Sequence, residues 1–261
     1  MCVVYTIGID IGSASSKVVI LVDGKEIAAA QTVQFGTGST GPQRALEQAL
    51  EQADIALEDA SAIVATGYGR MKCEYTDKQF SEISCHAKGI AHLVPSARTI
   101  IDIGGQDAKA IRLDAGGMVQ QFMMNDKCAA GTGRFLEVMA RVMEVPLEEM
   151  QDWHDKAQAP APISSTCTVF AESEVISQLS MGTPKADIIA GVHRSVANKA
   201  SGLAHRVGVR ELVVMSGGVA QNSGVVKALA AELGMTVEVA PNPQTIGALG
   251  AALYAYESAK K

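Results

Sequence analysis

The sequence contains no Cys-x-x-Cys pair, and its five cysteines, Cys2, Cys73, Cys85, Cys128 and Cys167, stand at long, irregular gaps. A zinc ribbon or a ferredoxin-type cluster closed within one chain is therefore unsupported. An odd thiol count with such spacing is also a poor disulfide framework in a protein of this size. No basic run appears, and 28 acidic against 22 basic residues leave a formal net charge of −6. That balance argues against nucleic-acid binding through a basic field, which rests on clustered cations neutralising phosphates. No apolar stretch approaches the roughly 20 residues needed to span a bilayer. The segment Met1–Asp10 has neither a charged leader region nor a small-residue cleavage site. The expectation is a cytoplasmic protein with reduced thiols. The five histidines, His86, His92, His154, His193 and His205, show no metal-ligand spacing and read as structural or surface residues.

What is present is an apolar, ordered chain. With 48% hydrophobic and 19% charged residues over 261 positions, it can bury one large core or two medium ones. A repeat organises it. Asp10-Ile11-Gly12-Ser13-Ala14-Ser15-Ser16-Lys17 aligns with Asp102-Ile103-Gly104-Gly105-Gln106-Asp107-Ala108-Lys109, sharing Asp, Ile, Gly and Lys at matching offsets. Each copy follows a short apolar run and leads into another, the pattern of strand, tight turn, strand. Glycine lets backbone N–H groups approach phosphate oxygens, and an aspartate at a strand end can hold a hydrated Mg²⁺. Two such turns facing each other would clamp a nucleotide. A third element, Val213-Val214-Met215-Ser216-Gly217-Gly218, reads as a buried strand running into Gly-Gly and a helix over 223–233, where glycines let a base or ribose lie against the backbone.

Helical periodicity is expected over 43–53, 82–93 and 132–143, the last with Phe135, Val138, Met139 and Val142 inward. A long helix over 186–207 is opened by Thr183-Pro184, and a small-residue helix covers 244–256, its glycines read as close-packing positions. Of the cysteines, Cys73 and Cys85 read as small buried apolar residues and Cys2 as incidental. Cys128 and Cys167 differ. They lie in Asn125-Asp126-Lys127-Cys128-Ala129-Ala130-Gly131-Thr132-Gly133-Arg134 and Ser164-Ser165-Thr166-Cys167-Thr168-Val169-Phe170-Ala171-Glu172. A thiolate-held iron–sulfur cluster usually takes four cysteines, so this pair points to half a ligand set, completed by a second copy of the chain about a twofold axis. The glycines after Cys128 read as the start of a helix whose N-terminus suits an anion and whose amides are free to approach phosphates.

The order Asp10-x-Gly, Asp102-x-Gly-Gly, Ser216-Gly-Gly and a closing Gly/Ala helix resembles the superfamily of acetate and sugar kinases, the chaperone Hsp70 and actin. The resemblance implies an α/β, duplicated ribonuclease-H-like fold with two domains around an ATP cleft: an N-terminal subdomain over 1–96 completed by a C-terminal helix over 244–261, and a second subdomain over 97–243. More closely, Asp102-Ile-Gly-Gly-Gln-Asp-Ala-Lys and the two cysteine motifs resemble the activators of 2-hydroxyacyl-CoA dehydratases and their benzoyl-CoA reductase relatives, over about Tyr5 to Tyr254. This implies an ATP-hydrolysing, oxygen-sensitive homodimer holding one [4Fe–4S] cluster on Cys128 and Cys167 of each subunit. It would pass one electron from ferredoxin or flavodoxin to a dehydratase, with ATP-driven closure moving Gly131–Gly133 and dragging Cys128.

In that reading Asp10 and Asp102 hold the Mg²⁺ shell and Gln106 orients the attacking water. Gly12, Ser13, Ser16, Lys17, Gly104, Gly105, Gly131, Thr132 and Gly133 surround the phosphates. Glu137 meets the ribose, and Gly217 and Gly218 border the adenosine. Lys17 reads equally as a phosphate contact or a solvated strand lysine. Two rivals stand beside this reading: a small-molecule kinase of the same superfamily with structural cysteines, and a nucleotide-gated binding module resembling the chaperone ATPase domain.

Overall fold

The computed structural model describes residues 3–260; Cys2 lies outside them. The chain folds as two compact units, one formed by Met1–Ser96, Leu113–Val119 and Ala240–Lys261, the other by Ala97–Arg112 and Gln120–Val239.

In the first unit, β1 (Tyr5–Ile11), β2 (Ser16–Val22), β3 (Glu26–Val33), β4 (Ala60–Thr66) and β5 (Lys78–Gln79) form one sheet in the order β3-β2-β1-β4-β5. β1 pairs antiparallel with β2 and parallel with β4. All of Thr6–Ile11 is buried, on both faces of the sheet, the polar Thr6 and Asp10 included. On one face α1 (Gly41–Ala53) packs Ala45, Leu46 and Ala49 against Ile7, Ile9, Val18 and Ile20. On the other lie α2 (Glu82–Leu93) and α8 (Ile246–Ala259), where Ala248, Leu249 and Ala252 meet Val19 and Leu21. Gly8 is what admits α8: a Cβ there would sit 1.9 Å from the Ala248 carbonyl oxygen.

The second unit repeats the plan. Here β6 (Thr99–Ile103), β7 (Ala108–Leu113), β8 (Val119–Asn125), β9 (Val213–Ser216) and β10 (Val237–Val239) take the order β10-β9-β6-β7-β8. Read from the other edge this is the order of the first sheet, with β6 to β10 standing for β1 to β5. Around it lie α3 (Gly133–Val142), the short α4 (Met150–His154), α5 (Thr168–Ser180), α6 (Lys185–Val207) and α7 (Ser223–Leu233). Their core includes Phe135, Met139, Val192, Val196, Met215 and Leu229.

The expected helices over 82–93 and 223–233 match α2 and α7, and those over 43–53 and 186–207 begin one or two residues earlier. The helix expected over 132–143 starts at Gly133 because Thr132, with extended backbone, is its N-cap; Phe135, Leu136, Met139 and Ala140 are its buried face, while Val138 and Val142 are half-buried. The helix expected over 244–256 runs Ile246–Ala259, since Thr245 still turns back onto the Asn242 carbonyl. Among the described residues, no helix is long and apolar enough to cross a membrane.

Candidate functional site

The two Asp-x-Gly motifs are hairpin turns of the same construction. Asp10 pairs across the ladder with Lys17, and Asp102 with Lys109, because seven residues are what two strands and a four-residue turn need to bring those positions opposite each other. The amide of Gly12 donates to the Ser15 carbonyl at 3.0 Å, and that of Gly104 to the Asp107 carbonyl at 2.9 Å. Lys17 Nζ lies 3.2 Å from Asp10 Oδ2, and Lys109 Nζ lies 3.3 Å from Asp102 Oδ2. Lys17 is therefore not a solvated strand lysine. Its ammonium is drawn along the hairpin to the aspartate and reaches within 3.2 Å of where a Cβ on Gly12 would stand.

A parallel strand then closes each motif from the side. β4 places Thr66 beside Asp10, and β9 places Ser216 beside Asp102. Each strand runs directly into a glycine of positive φ, 86° at Gly67 and 85° at Gly217. A side chain at Gly67 would meet Asp10 Oδ1 at 2.4 Å and the Ile11 carbonyl at 2.6 Å; at Gly217 it would meet Asp102 Oδ1 at 3.0 Å and the Ile103 carbonyl at 2.3 Å. Both positions require glycine for conformation and for space. Thr66 and Gly67 are thus site residues that sequence reasoning missed. The signal available was a hydroxyl residue and glycine at the end of an apolar run, weak at 66–67 because Tyr68 stands where the later copy has Gly218.

The loops after β3 and β8 also correspond. The Thr37 amide donates to the Gly12 carbonyl at 2.9 Å, and the Gly133 amide to the Gly104 carbonyl at the same distance. Arg134 adds a bond from its amide to the Gly105 carbonyl, 2.8 Å. These bonds correct one expectation: the first amides of α3 are not free for phosphate, because they hold the Gly104-Gly105 turn. Gln106 projects as an exposed residue from that turn, and Ser13 and Gly105 are partly exposed. The Ser16 hydroxyl, by contrast, is buried and donates to the Phe35 carbonyl at 2.8 Å. Glu137 is exposed and accepts from Arg134 Nη1 at 2.9 Å. Gly247, expected to serve packing, also borders the site: its Cβ would lie 3.1 Å from Asp10 Oδ2. Gly250 is a packing position, held against the Cys85 carbonyl.

Asp10 Oδ1 is buried and has no hydrogen-bond partner among the described residues. A buried carboxylate oxygen left so is costly in the protein alone, and a cation or its water is the natural complement, so the donor set fits Mg²⁺.

The four described cysteines fall into two classes. Cys73 and Cys85 are buried; burial pushes both thiols up, Cys85 to about 12. Cys128 and Cys167 are half-buried and free. Their segments meet in the second unit, with Cys128 Sγ 3.8 Å from the Thr166 carbonyl oxygen. The Cys128 carbonyl accepts from Asn125 Nδ2 at 2.9 Å, and Thr132 Oγ1 donates to the Ala129 carbonyl at 2.6 Å, so the loop is tied at both ends. Cys167 is the N-cap residue of α5, and it is this helix, rather than α3, that begins at a cysteine. α5 buries only Ala171 and Val175; Val169 and Phe170, next to Cys167, are 65% and 64% exposed, and Ile176 and Met181 are exposed as well.

A cavity of about 300 Å³ in the first unit is lined by Thr37, Ser39, Thr40, Lys72, Cys73 and Tyr75 among others. No carboxylate or histidine is among its lining residues.

Comparison with known proteins agrees with this geometry. The chain is 68% identical over 257 residues to the activator of lactoyl-CoA dehydratase of Anaerotignum propionicum, covering 98% of this chain and 99% of that one. It is 56% identical to the (R)-2-hydroxyglutaryl-CoA dehydratase activating ATPase of Acidaminococcus fermentans, covering 99% of each. The solved activator of 2-hydroxyisocaproyl-CoA dehydratase from Clostridium difficile, with bound ADPNP, superposes with a TM-score of 0.95 at 55% identity, covering 98% of this chain and 96% of that one. A hexokinase of Thermus thermophilus, TM-score 0.54 at 15% identity, shares the fold alone. Residues 7–255 match the BadF/BadG/BcrA/BcrD ATPase family, and the chain, an α/β protein of the actin, Hsp70 and sugar-kinase fold, belongs to that family.

Proposed function

We propose that this chain is an ATP-hydrolysing activator of a 2-hydroxyacyl-CoA dehydratase, working as a homodimer in the cytoplasm under anaerobic conditions. A reduced ferredoxin or flavodoxin gives up one electron and the dehydratase gains it, while ATP is hydrolysed to ADP and phosphate. The observation that carries this reading is a pair of free thiols at an apolar face. Two free, half-buried thiols lie on segments that touch, beside exposed Val169 and Phe170, and exposed Ile176 and Met181 lie further along the same helix. A twofold axis through such a face buries the apolar side chains and doubles two thiols to the four that a [4Fe–4S] cluster needs. Cys128 and Cys167 would hold it, the helix start at Cys167 favouring its negative charge. Such a cluster supplies storage of one low-potential electron.

Both hairpins are read as phosphate-binding turns for one nucleotide. In the first, Asp10 carries the cation shell, with Gly12, Ser13, Ser16 and Lys17 around it. In the second, Asp102 has the corresponding place with Gly104, Gly105 and Gly131. Gln106, exposed on its turn, orients the attacking water. Gly217 and Gly218 flank the adenosine, and Glu137 meets the ribose.

Purification without oxygen tests the reading. The expected result is about four iron atoms per dimer with broad visible absorption; colourless, iron-free protein overturns it. Cys128→Ala is expected to lose the iron while keeping nucleotide affinity within about threefold, as distant sites allow.

A further inference from the structure

The second hairpin carries charges that the nucleotide reading does not use. Lys109 is 1% exposed, and its ammonium lies 2.6 Å from Asp107 Oδ2 as well as 3.3 Å from Asp102 Oδ2. Asp102 in turn accepts from the Ser216 hydroxyl through Oδ1 at 2.8 Å. The four side chains make one connected series, from β9 through β6 and β7 to the far end of the turn. A buried ammonium is tolerated only when paired, and a fully paired series in a low-dielectric interior is rigid. In the first hairpin Ser15 stands where the second has Asp107, so no carboxylate closes that turn onto Lys17.

What the series holds still is the Gly104–Asp107 turn. The Gly104 and Gly105 carbonyls accept from the Gly133 and Arg134 amides at 2.9 and 2.8 Å, and Thr132, one residue earlier, is bonded to Ala129 beside Cys128. Moving the turn therefore means moving the start of α3 and the loop that bears Cys128. A flexible turn would absorb a displacement at the phosphates; a rigid one transmits it.

We propose that Asp107 and Lys109 are positioning residues that stiffen the second phosphate turn, so that nucleotide bound there is felt at Cys128 through the Gly104–Gly133 and Gly105–Arg134 bonds. The proposed phosphate set includes neither residue. The inference rests on the nucleotide reading of this hairpin, and the two fail in different ways. Asp107→Ser gives the second turn the residue that the first one has, and the pair between Lys109 and Asp102 stays.

Hydrogen exchange read by mass spectrometry on the intact protein, with Mg-ADP as the probe, decides the matter, with affinity measured alongside by calorimetry. In the unaltered chain Mg-ADP is expected to slow exchange in the peptide containing Gly133 and Arg134 by about tenfold. In Asp107→Ser, affinity is expected to stay within about threefold while that protection disappears, and Asp107→Glu, which restores the charge, is expected to restore it. A merely structural role would lower the melting temperature and leave the protection intact. Asp107→Asn, which keeps the volume, answers the same question if the serine variant does not fold. Full protection in the serine or asparagine variant overturns the inference, as does an unaltered chain that binds Mg-ADP without protecting this peptide. An unaltered chain that does not bind Mg-ADP overturns the nucleotide reading itself.

Discussion

The two hairpins are built to one plan and finished differently. Both have the Asp/Lys cross-strand pair, the parallel strand ending in a hydroxyl residue and glycine, and the backbone bond from the following loop. Yet Asp102 has a hydroxyl on Oδ1, whereas Thr66, the counterpart of Ser216, turns away and donates to the Phe80 carbonyl at 3.1 Å. Asp10 Oδ1 has no hydrogen-bond partner among the described residues. Likewise Lys109 lies between two carboxylates and is fully buried, while Lys17 is 15% exposed. Duplication preserved the frame and let the charges diverge: one copy is closed on itself, the other keeps an unmet oxygen.

That contrast makes its strongest claim about the lysines. Lys109→Met would leave Asp102 and Asp107 facing each other without their cation, at an expected cost of about 3–5 kcal/mol in denaturant unfolding. Lys17→Met, at a site with some access to water, is expected to cost about 1–3 kcal/mol. Equal losses would erase the distinction.

A smaller effect sharpens the likeness instead. Gly67→Ala and Gly217→Ala both force a side chain into positive φ and onto an aspartate oxygen, and each is expected to cost about 2 kcal/mol. Unequal thermal shifts in the two variants would mean that the two strand ends are not equivalent.

The smallest concerns acid. In the second unit His193 is wholly buried on α6, its Nδ1 3.2 Å from His154 Nδ1 and its Nε2 3.3 Å from Asn222 Nδ2. Asp155 and Lys227, charged neighbours of His154, lie on the outer side of the pair. Burial, and to a lesser extent His154, hold His193 down at about 3, below its ordinary 6.5. The unfolded chain therefore takes up more protons between those values; the fold is undiminished above 6.5 and weakens as pH falls toward 3. Unfolding at pH 5.5 is expected to need about 1.2 kcal/mol less than at neutral pH, and His193→Gln is expected to remove most of that difference. An acid-induced loss that persists in the glutamine variant would place the sensitivity elsewhere.

Much of this frame was legible because it depends on short-range pattern. The Asp-Ile-Gly repeat with lysine seven residues on fixes both hairpins, apolar periodicity over 82–93 matches α2, and the strand-Gly-Gly-helix pattern matches α7. What stayed hidden depends on partners distant in the sequence. Lys17 could not be distinguished from a solvated lysine until its strand partner was known. Gly67 looked like any glycine after a strand, because its reason is Asp10, 57 residues away. The glycines at the start of α3 seemed free to approach phosphate, since no local signal reveals that two carbonyls of another turn already accept from the Gly133 and Arg134 amides. Asp107, too, reads as a turn residue until Lys109 is found buried beside it.

The close seating of α8 on β1, permitted by Gly8, bears on how the protein is made. The strands of the first unit leave the ribosome early, but the face that covers Gly8, Val19 and Leu21 belongs to Ile246–Ala259, translated after every element of the second unit. At roughly 5–20 residues per second, the first sheet waits many seconds with one apolar side uncovered. The second unit can close before the first, and the nascent chain is most exposed to aggregation in that interval.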